Sequence, residues 1–145
     1  MDGRFIEYFY IAVTASVPLL FGTTGEILTE KVGNLNLGVE GMMLMGAFGG
    51  FFASYATGNP LLGMLCAALM GGLGALIYAF LTVTLRANQT VTGLSLSIFG
   101  AGFSKFMGSS LADIIRRETG VAYVSIPKNV ISFFAPVKIP LLSDI

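Results

Sequence analysis

The chain has 145 residues, of which 54% are apolar and 11% are charged, and its formal net charge is zero. A soluble domain carries roughly 25% charged residues, so eight basic and eight acidic side chains are too few for a water-facing shell. Mean hydropathy is +0.82. No basic cluster points to nucleic acid. Histidine is absent and Cys66 is the single cysteine, which excludes a Cys/His zinc or haem site and an intrachain disulfide. No charged residue occurs from Gly41 through Leu85. A membrane-spanning helix takes about 20 apolar residues, so that stretch holds two spans and a turn. The expected fold is an all-α membrane protein of about four transmembrane helices, with a break near 33–41 and an extended loop at the C-terminal end.

The opening residues mix Asp2, Arg4 and Glu7 and do not form a cleavable signal peptide. The first span is expected over 5–28, with Pro18 at its middle; a proline in a membrane helix usually makes a kink that neighbours can satisfy. Glu26, Glu30 and Lys31 close it, and a local Glu/Lys pair on a wet helix end explains them.

The next segment, Gly33-Asn-Leu-Asn-Leu-Gly-Val-Glu-Gly41, is too polar and too glycine-rich to continue a helix. Asn34 and Asn36 are good helix N-caps, and Glu40 falls in the first turn of the following helix, where the dipole favours an acid. Two readings fit this spacing. One is a capped surface turn. The other is a broken helix facing a water-filled cavity, the place where transporters put substrate sites.

The second span is expected over 38–55 and the third over 60–85. Between them, Thr57-Gly-Asn-Pro60 is a turn signal, with Pro60 placed to open a helix. Gly46 with Gly50, Ala67 with Gly71, Ala68 with Gly72 and Gly71 with Ala75 repeat a small-xxx-small spacing. In lipid, such residues let helix backbones approach closely.

Arg86-Ala-Asn-Gln-Thr90 is a second polar interruption. Asn88, Gln89 and Thr90 are set to cap a fourth span over 90–111, and could face a cavity. Lys105 lies in that span, near enough to its end to snorkel. Beyond Leu111, charges and prolines return. Residues 112–145 read as a structured loop outside the hydrocarbon, with Val121–Ile126 as a short strand or extended piece. No nucleophile, metal or phosphate-binding motif is present. The chain is not expected to be an enzyme and implies no cofactor of its own.

Glu30-Lys-Val-Gly-Asn-Leu-Asn-Leu-Gly-Val-Glu-Gly-Met-Met-Leu-Met-Gly-Ala47 resembles the signature of the membrane permeases of nucleoside and simple-sugar ABC importers, in the branched-chain amino acid/ribose-type permease superfamily. Arg86-Ala-Asn-Gln-Thr-Val-Thr-Gly93 resembles a second marker of that family, and Ile139-Pro-Leu-Leu-Ser-Asp-Ile145 its extracytoplasmic loop. The likeness covers the N-terminal half of such a permease. The family's cytoplasmic coupling segment, around Gly-x-Asn-x-x-Ala-Ala, does not occur in this sequence, so the chain is expected to be a truncated product or part of a longer protein.

The resemblance implies a multi-pass permease subunit in the bacterial cytoplasmic membrane, working by alternating access. Its implied partners are membrane lipid, a second permease subunit, ABC ATPase subunits that hydrolyse the ATP, and an extracytoplasmic substrate-binding lipoprotein. The implied substrate-pathway residues are Asn34, Asn36 and Glu40 at the break, with Asn88 and Gln89 from the facing turn. The resemblance puts the N-terminus and 112–145 outside, with Lys31 and Arg86 in cytoplasmic turns. A positive-inside count would put Arg116, Arg117, Lys128 and Lys138 inside instead. An alternative function is a non-transporting membrane module that packs against a partner permease.

Overall fold

A computed structural model describes residues 3–120, 124–125 and 127–134. Among the described residues five α-helices follow in order: α1 Gly3–Lys31, α2 Val39–Thr57, α3 Pro60–Ala79, α4 Gln89–Thr119 and the short α5 Lys128–Phe134. No strand occurs among the described residues. Val121–Ile126, expected as an extended piece, lies largely outside them.

Local chemistry explains most of the boundaries. α2 ends at Gly58, whose φ of 63° is left-handed and whose N–H donates to the Ser54 carbonyl. Asn59 then caps α3, its side chain accepting from the Leu61 N–H at 2.9 Å, and Pro60 opens the helix. Asn88 caps α4 in the same way by accepting from the Val91 N–H at 3.1 Å. An N-cap of this kind satisfies one of the N–H groups that have no partner within the helix.

α3 closes in a π-helical turn, Phe80–Thr84, marked by a bond from the Leu85 N–H to the Phe80 carbonyl. Arg86 follows with a φ of 52°, a left-handed conformation that few non-glycine residues adopt.

Helix α4 runs past Leu111 to Thr119, so 112–119 are helical rather than part of a loop. The apolar stripe ends at Leu111, but the backbone stop is Gly120, in the left-handed C-cap conformation. Asp113 and Arg116 make an exposed i,i+3 ion pair on that last stretch.

α2 is the central helix, packed on α3 along one side and on α4 along another. Small residues make both crossings. A Cβ built on Gly50 would lie 3.0 Å from the Cβ of Ala67, and one on Gly46 would lie 3.0 Å from the Ala67 carbonyl oxygen. Gly71 lies over the Met42 carbonyl. Gly46, Gly50, Ala67 and Gly71 therefore lie at the α2–α3 crossing, whereas Gly72 faces open space. The α2–α4 crossing is tighter and went unmarked in the sequence. A Cβ on Gly100 would overlap the backbone of Gly41 and one on Gly41 the Leu96 carbonyl, while Gly93 lies against the break at the Leu37 and Gly38 nitrogens.

The apolar residues are distributed inside out. Few are buried: Met42, Met45, Ala53, Tyr78, Leu96, Ile115 and Val130. Large apolar side chains stand exposed on several helices, among them Phe9 and Phe21 on α1, Leu69 and Leu76 on α3, and Ile98 and Phe106 on α4. An all-round apolar exterior suits lipid as the solvent, since contact between helices there relies on close packing and hydrogen bonds.

Among the described residues two helical stretches are long and apolar enough to cross a membrane, Arg4–Lys31 and Pro60–Thr84. α2 and α4, also expected as spans, are diluted by the glycines and hydroxyl residues that make their contacts.

Candidate functional site

The unwound segment between α1 and α2, residues 32–38, is held on three sides. Gly33 supplies the turn, with a φ of 83° that only glycine adopts freely. From α1, the Glu26 carboxylate accepts the Asn36 N–H at 2.8 Å. The Thr29 hydroxyl, bonded mainly to the Glu26 carbonyl at 2.8 Å, also reaches the other carboxylate oxygen at 3.2 Å. From α3, the Tyr78 hydroxyl donates to the Leu35 carbonyl at 2.6 Å and lies 3.4 Å from Asn34 Oδ1. From α4, Gln89 acts twice: its Oε1 accepts the Leu35 N–H at 2.8 Å and its Nε2 donates to the Gly33 carbonyl at 3.4 Å. The Ser97 hydroxyl donates to the Leu37 carbonyl at 2.7 Å.

These bonds have a common cause. Residues 32–38 leave the helical ladder, and each released N–H or C=O shielded from water needs another partner. Side chains from α1, α3 and α4 provide partners at Gly33, Leu35, Asn36 and Leu37, while the Gly33 and Asn34 N–H groups donate to the Glu30 and Thr29 carbonyls and the Gly38 N–H to Asn36 Oδ1.

The five sequence-predicted residues separate into groups. Asn34, Asn36 and Gln89 come together in the network. Asn36 is buried; its Oδ1 accepts the Gly38 N–H at 3.0 Å and its Nδ2 points at the Met42 sulfur at 3.8 Å. Neither asparagine is the N-cap of α2. That position belongs to Gly38, which has no side chain to cap with. Asn36 instead makes a tight local turn two residues earlier.

Glu40 lies in the first turn of α2, as expected, and is exposed, with no hydrogen bond or ion pair among the described residues. Asn88 caps α4 at the exposed end of the facing turn.

Sequence reasoning missed Glu26, Tyr78 and Ser97. Glu26, expected in a local Glu/Lys pair on a wet helix end, instead bonds the break. The available signal was an acid with a threonine three residues on, facing a segment rich in backbone donors. Tyr78 sits in an apolar run, where an aromatic ring with one polar tip buries its body and seeks a partner for its hydroxyl.

Beside the network, α1 and α2 enclose a groove of about 480 Å³. Its lining includes Leu19, Thr23, Glu26, Glu40 and Met43. Two other grooves of similar size, between α3 and α4 and between α2, α3 and α5, are lined without any charged side chain. The α1–α2 groove thus joins an apolar wall to two carboxylates and a hydroxyl. Such a lining accepts hydrogen bonds from a neutral ligand's O–H and N–H groups while covering its apolar faces.

A family model described as branched-chain amino acid transport system / permease component matches residues 8–143. The chain belongs to that permease family.

Among its relatives, this permease chain is 44% identical over 97 residues to a putative glucose ABC transporter permease protein of Haloferax volcanii. That match covers 67% of this chain and 30% of the relative. It is 31% identical over 137 residues to the guanosine ABC transporter permease protein of Bacillus subtilis, covering 90% of this chain and 40% of the relative. It is 34% identical over 98 residues to the nucleoside ABC transporter permease protein of Lactococcus lactis, covering 63% and 31%. The permease chain therefore spans less than half the length of the curated relatives it matches. No solved structure matches it.

Proposed function

We propose that this chain forms part of the membrane-spanning subunit of an ATP-driven importer for nucleosides or simple sugars, in a bacterial cytoplasmic membrane. The substrate class draws support from the relatives, named for glucose, guanosine and nucleosides. The partners in this reading are a second permease subunit, two ABC ATPase subunits and an extracytoplasmic substrate-binding lipoprotein. This chain carries none of the ATP chemistry.

The observation that carries the reading is the groove beside the break, where Glu26 and Glu40 face an otherwise apolar wall. Its volume falls within the roughly 300–1,000 Å³ of small-molecule sites. Ribose and hexose hydroxyls, and the amino groups of bases, are hydrogen-bond donors that a carboxylate accepts. Glu40 is the group with its oxygens uncommitted, so it is assigned to contact substrate. Asn34, Asn36 and Gln89 are assigned to hold the break in shape, and Asn88 to flank the path from the start of α4. Alternating access then moves helices on either side of this groove while the break keeps its shape.

Uptake of radiolabelled guanosine and glucose by cells carrying the assembled transporter tests the reading. Glu40→Gln lowers uptake of the transported class with the protein level unchanged. Unaltered rate and affinity for every nucleoside and sugar tried would remove Glu40 from the pathway.

A further inference from the structure

Helix α1 is tethered to the bundle differently from the rest. No residue of its most apolar stretch is buried. Its contacts are with α2 and the break alone among the stronger helix pairings. Gly22 meets Met43 and Val39, and Glu26 bonds the Asn36 N–H. The other three long helices interlock through glycine crossings, and the break is tied to α3 and α4 by Tyr78, Gln89 and Ser97. Gly33 lies at the junction, left-handed and with open space where a Cβ would stand, its N–H donating to the Glu30 carbonyl of α1 and its carbonyl accepting from Gln89 of α4. Among the described residues, α1 is thus joined to the interlocked α2, α3 and α4 by the Gly33 turn, with its Asn34 N–H to Thr29 carbonyl bond of 3.0 Å, by the Gly22 contact and by the Glu26 carboxylate.

We propose that Glu26 is a positioning residue, whose carboxylate latches α1 to the Asn36 N–H and thereby sets the width of the groove that Glu40 lines. The latch sits in the groove wall itself, so releasing it opens the groove. Gly33 absorbs the change in direction, and the break stays bound to α3 and α4. The consequence for transport rests on the reading given above; the latch does not.

Cysteine cross-linking in membranes, using the full chain with Cys66→Ala, tests it. A Cβ on Gly22 would lie 3.5 Å from Val39 Cγ1, so Gly22→Cys with Val39→Cys reports the α1–α2 gap. Gly50→Cys with Ala67→Cys reports the α2–α3 crossing and serves as the control. A hydrogen bond to a charged group supports an expected fall of about tenfold in the α1–α2 cross-linking rate for Glu26→Ala. Glu26→Gln keeps an acceptor oxygen and falls less, and the control rate holds in both. An α1–α2 rate that stays at the parent value in Glu26→Ala overturns the proposal. Loss of the control cross-link as well overturns it too, since Glu26 would then be holding the whole bundle. Guanosine and glucose uptake is measured separately. If the cross-link responds but no uptake depends on this groove, the latch stands and the transport reading falls.

Discussion

The Tyr78 hydroxyl donates to the Leu35 carbonyl at 2.6 Å, tying α3 to the unwound segment between α1 and α2. The bond supplies a partner to a backbone oxygen that left the helical ladder, and the ring that carries it is nearly wholly buried at 3% exposure. Tyr78→Phe keeps the ring and removes the bond. A loss of about 1 kcal/mol is expected, within the range measured for side-chain bonds between membrane helices. Hydrogen exchange at the Leu35–Gly38 amides in detergent should rise, with α3 protection unchanged. Equal exchange in both proteins would show that the hydroxyl does not hold the break.

The glycines of α4 divide into two kinds. Gly100 lies against the backbone of Gly41, whereas nothing stands within 4 Å of a Cβ on Gly102. Gly100→Ala forces α2 and α4 apart and is expected to destabilise by about 1–3 kcal/mol, as overpacking does. Gly102→Ala gains helix propensity at an open site, by up to about 1 kcal/mol. Thermal unfolding of the two variants in the same detergent should shift in opposite directions. Shifts of the same sign would contradict the α2–α4 crossing.

Arg86 holds a left-handed backbone after the π turn of α3. A β-branched residue there should lower stability, since its branched Cβ is strained in the left-handed region beyond what arginine already bears. Glycine should be tolerated, since it adopts that region freely. Melting of Arg86→Val and Arg86→Gly distinguishes a backbone requirement from a need for the guanidinium. Equal loss in both variants would point to the side chain.

Asn36 and Glu40 are four residues apart and are expected to fail differently. Asn36 is buried with its amide engaged, so Asn36→Ala lowers stability by about 1–3 kcal/mol through the unpaired Gly38 N–H and the lost turn. Glu40 is exposed and unpaired among the described residues, so Glu40→Gln leaves the melting temperature in place. Melting of both variants, set beside their uptake, checks the division. A stable Asn36→Ala would move that residue from scaffold to pathway.

Much of this fold is legible in the sequence because it obeys local rules. Asn59-Pro60 and Asn88 cap helices, Gly58 ends one, and Gly46 and Gly50 meet Ala67 as their spacing suggests. The break at 32–38 is visible as a polar, glycine-rich gap. Its partners are not, because they depend on tertiary placement: Glu26 reaches it from ten residues before Asn36, and Tyr78 and Gln89 from distant helices. The end of α4 was misplaced because a change from apolar to charged side chains marks a change of solvent, whereas the backbone continues until Gly120 lets it turn.

Accessibility of the groove wall facing Glu40 is the most direct test. Thr23→Cys, with Cys66→Ala and Glu40 kept, should react with a membrane-impermeant thiol reagent in membranes carrying the assembled transporter. A transported nucleoside or sugar should slow that reaction. A thiol that never reacts, or whose rate no nucleoside or monosaccharide alters, would contradict the placing of substrate in the groove between α1 and α2.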